Sequence, residues 1–166
     1  MDDKKVVPVE QMVAKVKAAV AAAQGREFFI LARTDALDPE GVDAAIRRAE
    51  KYLKAGADGV YVEGPRSEDE LKKVAKALKG EQLATSVLEN GGKTPWLPPD
   101  EMGDMGYTML LYPTTILFRA AHAIRAAAQD LRAGKPIDKD QAVDMQEFHK
   151  IVELKHWQEI EKRFQG

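Results

Sequence analysis

Four short apolar runs alternate along this chain with stretches of helical periodicity, and this alternation constrains the fold most. The runs cover residues 28–32, 60–62, 83–88 and 107–112. Runs of this length, bounded by charged or glycine-rich sequence, are typical of strands that are buried on both faces. Strands that alternate with helices pair in parallel through right-handed crossovers. The sequence therefore predicts an α/β fold with four parallel strands in sequential order and helices outside them.

The stretches between the runs carry apolar residues at helical spacing. In one of them Ser67 and Glu70 form a capping box, in which each side chain satisfies a free N–H of the first helical turn. The tail has the same periodicity and predicts one amphipathic helix or two short ones. Helices are predicted over residues 8–24, 38–54, 67–78, 114–132 and 144–164, with a short one that begins at 98.

Each predicted strand ends in, or is followed by, polar side chains. They are Arg33 and Asp35, Glu63, Glu89 with Asn90, and Tyr112. Because the carboxyl ends of parallel strands meet at one edge of a sheet, where α/β proteins place their chemistry, these side chains predict a shared cleft. For Arg33 and Asp35 alone, a salt bridge that merely closes the strand end is the alternative.

Composition bounds the classes of protein to which the chain can belong. Its 166 residues, 45% of them hydrophobic, are enough for one domain with a core. A net charge of -2 gives no reason to expect a nucleic acid or an anionic membrane as partner. The absence of cysteine excludes disulfides, thiolate metal sites and a cysteine nucleophile. We expect no membrane partner, because no apolar run approaches the roughly 20 residues of a membrane span. We also expect a cytoplasmic location.

Five short motifs lie at residues 32–36, 55–58, 62–65, 91–95 and 111–113. In their order and spacing over residues 4 to 165, they resemble the isocitrate lyase/phosphoenolpyruvate mutase superfamily. The family fold is a (β/α)8 barrel whose last helix is exchanged between subunits of an oligomer. The resemblance implies a partial TIM barrel over residues 1–134, equivalent to strand–helix units four to seven, and a helical tail over 135–166 in a homo-oligomer.

Members of this superfamily cleave or form bonds next to an α-keto acid or its enolate, and they use Mg²⁺. The resemblance implies that Arg33 binds enolate or carboxylate oxygens, that Glu63 orients the substrate or the arginine, and that Glu89 binds carboxylate or hydroxyl groups or acts on a proton. Asp35 and Glu63 are the implied metal ligands. The other implied substrate-binding residues are Asp35, Thr85, Asn90, Gly91, Gly92, Tyr112 and Pro113.

The resemblance also marks what this sequence lacks. The family carries an aspartate-rich Mg²⁺ site and a Lys-Cys-Gly-His type catalytic loop in its first three units, and residues 1–8 resemble the sequence that follows that loop. We therefore expect a truncated part of a Mg²⁺-dependent carbon–carbon lyase for a small 2-hydroxy or 2-keto carboxylate, with negligible turnover by itself. The alternative is a non-catalytic subunit or scaffold that keeps the fold.

Overall fold

A computed structural model describes residues 4–89, 92–136 and 140–165 of the chain. It divides into two compact units, Met1–Leu117 and Phe118–Gly166. The predicted division into a barrel part, 1–134, and a tail, 135–166, stays a prediction.

The first unit alternates helices and strands, as the apolar runs predict. Its four strands are all parallel and lie in the order β1-β2-β3-β4. This confirms the predicted strand pairing and order. The elements are α1 (Val9–Ala23), β1 (Leu31–Thr34), α2 (Leu37–Glu40), α3 (Val42–Lys54), β2 (Gly59–Val62), α4 (Glu68–Ala77), β3 (Gln82–Ser86), α5 (Pro99–Met105) and β4 (Met109–Leu111).

One face of the sheet packs against helices and forms the core. Strand residues Val60 and Leu83 are buried there with Ala49 of α3 and Leu71 of α4. Burying an aliphatic side chain of this size contributes about 1.5–3 kcal/mol, so this layer dominates the stability of the unit. At Gly59 an added Cβ would lie 2.8 Å from the carbonyl oxygen of Gln82, so that this close pairing of β2 and β3 requires glycine.

The first strand begins later than predicted. The prediction placed it at 28–32, buried on both faces, whereas Phe28 and Phe29 are 70% and 50% exposed and β1 begins at Leu31. The pairing with β2 sets this start, because the backbone N–H groups of Asp58 and Gly59 both donate to the carbonyl of Ile30. As an edge strand, β1 alternates buried and exposed residues and contains Arg33 itself. The third and fourth strands are also shorter than predicted.

The remaining helices are α6 (Thr115–Arg132), α7 (Met145–Ile151) and α8 (Leu154–Phe164). The predicted tail is thus two short helices, and Asp144 caps the first of them by accepting the N–H of Glu147 at 2.8 Å. None of the described residues of α6, α7 and α8 is buried. Over the three described ranges, no helix has both the length and the apolar character that crossing a membrane requires.

Candidate functional site

Strand register brings the polar side chains onto one face of the sheet. Arg33 pairs with Tyr61, and Tyr61 pairs with Ala84, so that these three residues share a face. Because side chains alternate along a strand, Glu63 and Ser86 lie on that same face two residues further on. The opposite face carries the core residues. The polar set therefore occupies the carboxyl end of the face that the core does not use.

The guanidinium of Arg33 is held in a fixed orientation by two carboxylates and a ring. Its Nε lies 2.8 Å from Asp35 Oδ2 and its Nη2 lies 2.9 Å from Oδ1, a bidentate pair. Nη2 is also 3.5 Å from Glu63 Oε2, and the guanidinium carbon is 5.0 Å from the Tyr61 ring centroid. Hydrogen bonding to Asp35 raises the pKa of Arg33 above its usual range. The bond from Arg33 lowers the pKa of Asp35 to about 2, so both groups are charged at neutral pH.

One edge of this guanidinium remains open. Within the described residues, Nη1 of Arg33 makes no hydrogen bond, and 47% of the side chain is exposed. A charged donor that is fixed on one side and open on the other is suited to bind an anionic oxygen.

Lys4 reaches the same carboxylates from the segment ahead of α1. Its Nζ lies 2.8 Å from Asp35 Oδ1 and 3.8 Å from Glu63 Oε1. Two cations, Lys4 and Arg33, therefore stand between two carboxylates. We call these four residues, together with Tyr61 and Ser86, the Arg33 cluster.

Tyr61 links the charged part of the cluster to β3. Its hydroxyl donates to Glu63 Oε2 and lies 2.6 Å from Ser86 Oγ. A phenol has a single proton, and because Tyr61 donates it to the hydrogen bond with Glu63, the Ser86 hydroxyl is the donor of the second bond. Burial, and next the bond to Glu63, raise the pKa of Tyr61 to about 12. Tyr61 therefore keeps its proton at neutral pH.

A second ionic group connects three loops at the same end of the sheet. Asp38, in α2, accepts hydrogen bonds from Nη2 of Arg66 and, at 3.0 Å, from Nζ of Lys93. Arg66 follows β2 and Lys93 follows β3. Lys93 first and Arg66 second lower the pKa of Asp38. The loops that follow β1, β2 and β3 are thereby joined at one carboxylate.

Of the residues predicted from sequence, the structure brings Arg33, Asp35 and Glu63 together. Glu89 lies partly buried just after β3. An added Cβ at Gly92 would overlap the carbonyl oxygen of Leu88, so this loop requires glycine there. Asn90 and Gly91, also predicted to bind substrate, lie outside the described residues.

Three further predicted residues are not members of the Arg33 cluster. Thr85 is fully buried on the face of Leu83, opposite to the cluster, and its contact with substrate stays a prediction. Strand alternation explains the difference, since it turns Ser86 rather than Thr85 towards Tyr61. Tyr112 packs on Trp96 with ring centroids 5.5 Å apart, and Pro113 is exposed.

The sequence pattern did not indicate Lys4, Tyr61 or Ser86. A signal for the last two existed, because Tyr61 alternates with Glu63, and Ser86 with Ala84, at strand spacing. Lys4 has no such signal, since its partner Asp35 lies 31 residues away in sequence.

Asp35 and Glu63 do not by themselves fit a magnesium ion. Both oxygens of Asp35 accept hydrogen bonds from cations, and Glu63 accepts from Tyr61 and lies beside Arg33 and Lys4. Mg²⁺ needs near-octahedral oxygen ligands. Nowhere in residues 4–89, 92–136 and 140–165 do three His, Cys, Asp or Glu side chains gather closely enough to hold a metal ion.

Sequential parallel strands with a charged cluster at their carboxyl ends place the chain in the class of α/β barrel-type proteins. The family model for phosphoenolpyruvate phosphomutase matches residues 1–132. The chain therefore belongs to the phosphoenolpyruvate phosphomutase family, which confirms the resemblance found in the sequence.

Individual relatives agree with this membership. The petal death protein of Dianthus caryophyllus is 37% identical over 168 residues, which cover 100% of this chain and 52% of the relative. The 2-methylisocitrate lyase of Bacillus subtilis (strain 168) is 41% identical over 123 residues, 74% of this chain and 40% of that enzyme. The chain spans about half the length of the curated relatives that it matches.

A solved structure shows the same fold. Oxaloacetate acetylhydrolase in complex with the inhibitor 3,3-difluorooxalacetate superposes with a TM-score of 0.89 and 28% identity, covering 100% of this chain and 56% of that one. Together with the four parallel strands, this confirms a partial TIM-barrel fold. The superfamily consists of carbon–carbon lyases and mutases that act on small carboxylates.

Proposed function

We propose that this chain carries the oxyanion-binding part of a carbon–carbon lyase-type site for a small 2-hydroxy or 2-keto carboxylate. The observation that carries this proposal is the Arg33 guanidinium, which two carboxylates fix on one side and which is open along Nη1. The relatives named for 2-methylisocitrate and oxaloacetate chemistry support the substrate class.

A fixed guanidinium suits this chemistry for an electrostatic reason. Cleavage of a carbon–carbon bond next to a keto acid leaves negative charge on an enolate oxygen. A donor that is already oriented stabilises this charge without reorganising, and removing one such donor typically costs about 2.7–4 kcal/mol of transition-state stabilisation. Asp35 orients the donor through its bidentate pair, and Glu63 supports the other side.

The protonation state of Tyr61 determines the role of its neighbour Glu63 in the cluster. Tyr61, with its pKa raised to about 12, stays a neutral phenol that donates to Glu63. Glu63 is thereby held beside Arg33, which supports a role in orienting the arginine. A role for Glu89 in proton transfer stays a prediction, as does substrate contact by Asn90, Gly91, Gly92, Tyr112 and Pro113.

Magnesium dependence is proposed from family membership alone. Asp35 and Glu63 do not fit the ion by themselves, because their oxygens already bond Arg33, Lys4 and Tyr61. One oriented donor supplies a few kcal/mol, against the 8–23 kcal/mol or so by which enzymes lower barriers. We therefore expect this chain by itself to bind a small dicarboxylate weakly and to show negligible turnover.

Calorimetric titration with oxalate, a planar dianion that resembles an enolate, tests the binding proposal. Arg33→Ala should abolish binding, whereas Arg47→Ala should leave it unchanged, because Arg47 is an exposed arginine on α3. If both variants bind oxalate as the wild type does, or if the wild type does not bind it at all, the proposal is wrong.

A turnover assay with 2-methylisocitrate, isocitrate and oxaloacetate, each with Mg²⁺, tests the second part. We expect no product above background. Turnover in the range of ordinary enzymes, lost in Arg33→Ala, would contradict our expectation for the chain by itself and would leave the role of Arg33 intact.

We also propose that the chain self-associates and works in the cytoplasm. Large apolar side chains are exposed on its last helices, among them Ile124, Phe148, Trp157 and Phe164. Exposed apolar surface of this kind marks protein–protein contacts. Light scattering at micromolar concentration should give a mass above that of the 18.4 kDa monomer, and a stable monomer would contradict self-association.

A further inference from the structure

Lys4 contacts both carboxylates that hold Arg33, although it lies on neither β1 nor β2. We propose that Lys4 is a positioning residue: its ammonium bridges Asp35 and Glu63 and keeps both carboxylates in the pose that fixes the guanidinium of Arg33. This inference rests on the proposed oxyanion-binding role of Arg33.

The geometry places the two cations alternately with the two anions. Lys4 lies 2.8 Å from Asp35 and 3.8 Å from Glu63, and Arg33 lies 2.8 Å and 3.5 Å from the same two residues. Asp35 and Glu63 carry like charge and repel each other when their shared cations are removed. Once the Lys4 ammonium is removed, Arg33 alone must compensate both carboxylates, and their mutual repulsion disturbs the pose in which Asp35 holds the guanidinium.

The segment that carries Lys4 has its own anchor, independent of the cluster. Nη1 of Arg48 donates to the carbonyl oxygen of Val7 at 2.9 Å. The same guanidinium forms a bidentate pair with Glu40, at 2.8 and 2.7 Å. Arg48 is buried on α3, so the backbone three residues after Lys4 is fixed to a helix of the core. The ammonium is therefore delivered to the carboxylates by a built attachment, unlike a loose surface lysine.

The absence of cysteine from these 166 residues allows this ammonium to be removed and restored chemically. Lys4→Cys places a single thiol in the protein. Alkylation with 2-bromoethylamine regenerates a lysine-like ammonium at that position, and iodoacetamide leaves a neutral group of similar size. Lys5→Cys, treated in the same ways, is the matched control, because it changes the same charge one residue away on an exposed side chain.

We expect Lys4→Cys to raise the Kd for oxalate by about 5- to 30-fold, the range that one or two kcal/mol produce. Aminoethylation should restore the Kd to within about twofold of the wild-type value. A twofold change is much smaller than the tenfold change that corresponds to about 1.4 kcal/mol. Iodoacetamide should not restore it, and the Lys5→Cys control should stay near the wild type in all three forms. Wild-type affinity in unmodified Lys4→Cys overturns the proposal.

A double substitution separates positioning from direct contact with the anion. If Lys4 acts through Asp35, then Lys4→Cys has little further effect on oxalate binding once Asp35→Asn is present. An equal effect in both backgrounds means that Lys4 contacts the anion itself, which also overturns the proposal. Far-UV circular dichroism and thermal unfolding of each variant confirm that it is folded.

A measurement without ligand keeps this inference distinct from the proposed function. The Nε–H of Arg33, bound to Asp35, should give a ¹⁵N-resolved NMR signal that exchanges slowly with solvent. Its exchange should quicken in Lys4→Cys and slow again after aminoethylation. Should the wild type fail to bind oxalate, the proposed function fails, and this signal still decides the positioning role: exchange that is unchanged in Lys4→Cys refutes it.

Discussion

Replacing Tyr61 with Phe should cost more stability than the same change at Tyr107, although both are buried phenols. Tyr61→Phe keeps the ring beneath Arg33 and removes the hydroxyl that joins Glu63 to Ser86. Tyr107→Phe removes a hydroxyl that donates to the neutral carbonyl of Leu71 at 3.2 Å, away from the cluster. The two variants differ in what the lost hydroxyl contacts.

The magnitude follows from the charge of the acceptor. A hydrogen bond to an ionised group contributes about 1.5–3 kcal/mol, whereas one to a neutral carbonyl contributes about 0.5–1.5 kcal/mol. In Tyr61→Phe the buried hydroxyl of Ser86 also loses its partner. We therefore expect a loss of about 2–3 kcal/mol for Tyr61→Phe and about 1 kcal/mol for Tyr107→Phe. For a chain of this length these correspond to falls in Tm of about 4–12 °C and 2–4 °C.

Differential scanning calorimetry of the two variants beside the wild type measures this difference, and oxalate titration shows whether the effect reaches Arg33. We expect weaker oxalate binding in Tyr61→Phe alone, because only this variant frees Glu63 from β3. If Tyr61→Phe is as stable as Tyr107→Phe, the hydroxyl does not tie Glu63 to Ser86, and our account of the cluster is wrong.

Two further predictions concern the charges around the cluster. The pKa of Asp35, lowered from 3.8 to about 2, means that its pairing stabilises the fold fully above about pH 4 and ceases to do so as the pH falls towards 2. Tm measured between pH 5 and 2 should therefore fall less steeply in Asp35→Asn than in the wild type, and parallel curves would contradict this. Arg48→Met should destabilise the chain by about 1.5–3 kcal/mol, because a buried charged donor to Val7 is lost. Urea unfolding should show a larger loss than in Glu40→Gln, whose side chain is more exposed, and equal losses would refute the role of the Val7 contact.

The fold was predictable from the sequence because it follows from the periodicity of the apolar residues and from the order of the strands and helices along the chain. The strand–helix alternation predicts four parallel strands, and the structure has them in that order. The start of β1 was not predictable in this way, since an apolar run does not say which of its residues meets the neighbouring strand. Phe28 and Phe29 extend the run, but pairing begins only where Leu31 meets Gly59.

Some residues of the candidate site were likewise predictable from the sequence, and others were not. Arg33, Asp35 and Glu63 were found because each follows or ends an apolar run, and parallel strands bring such ends together. Thr85 was predicted and Ser86 was not, because the sequence does not show the parity of β3, which only the register with β2 reveals. Lys4 depends on a tertiary contact through Arg48 and has no counterpart in local pattern.

Because the Asp38 carboxylate joins the loops after β1, β2 and β3 through ion pairs, how firmly these loops are held depends on ionic strength. Arg66 and Lys93, its two partners, are 54% and 53% exposed, so dissolved ions screen both attractions. At 0.01 M salt the screening length is about 30 Å, and at 1 M it is about 3 Å, comparable to the contacts themselves. The loops after β2 and β3 should then loosen together as salt is raised, since both are released from Asp38, while Lys4, which is only 26% exposed, is screened less in its contact with Asp35.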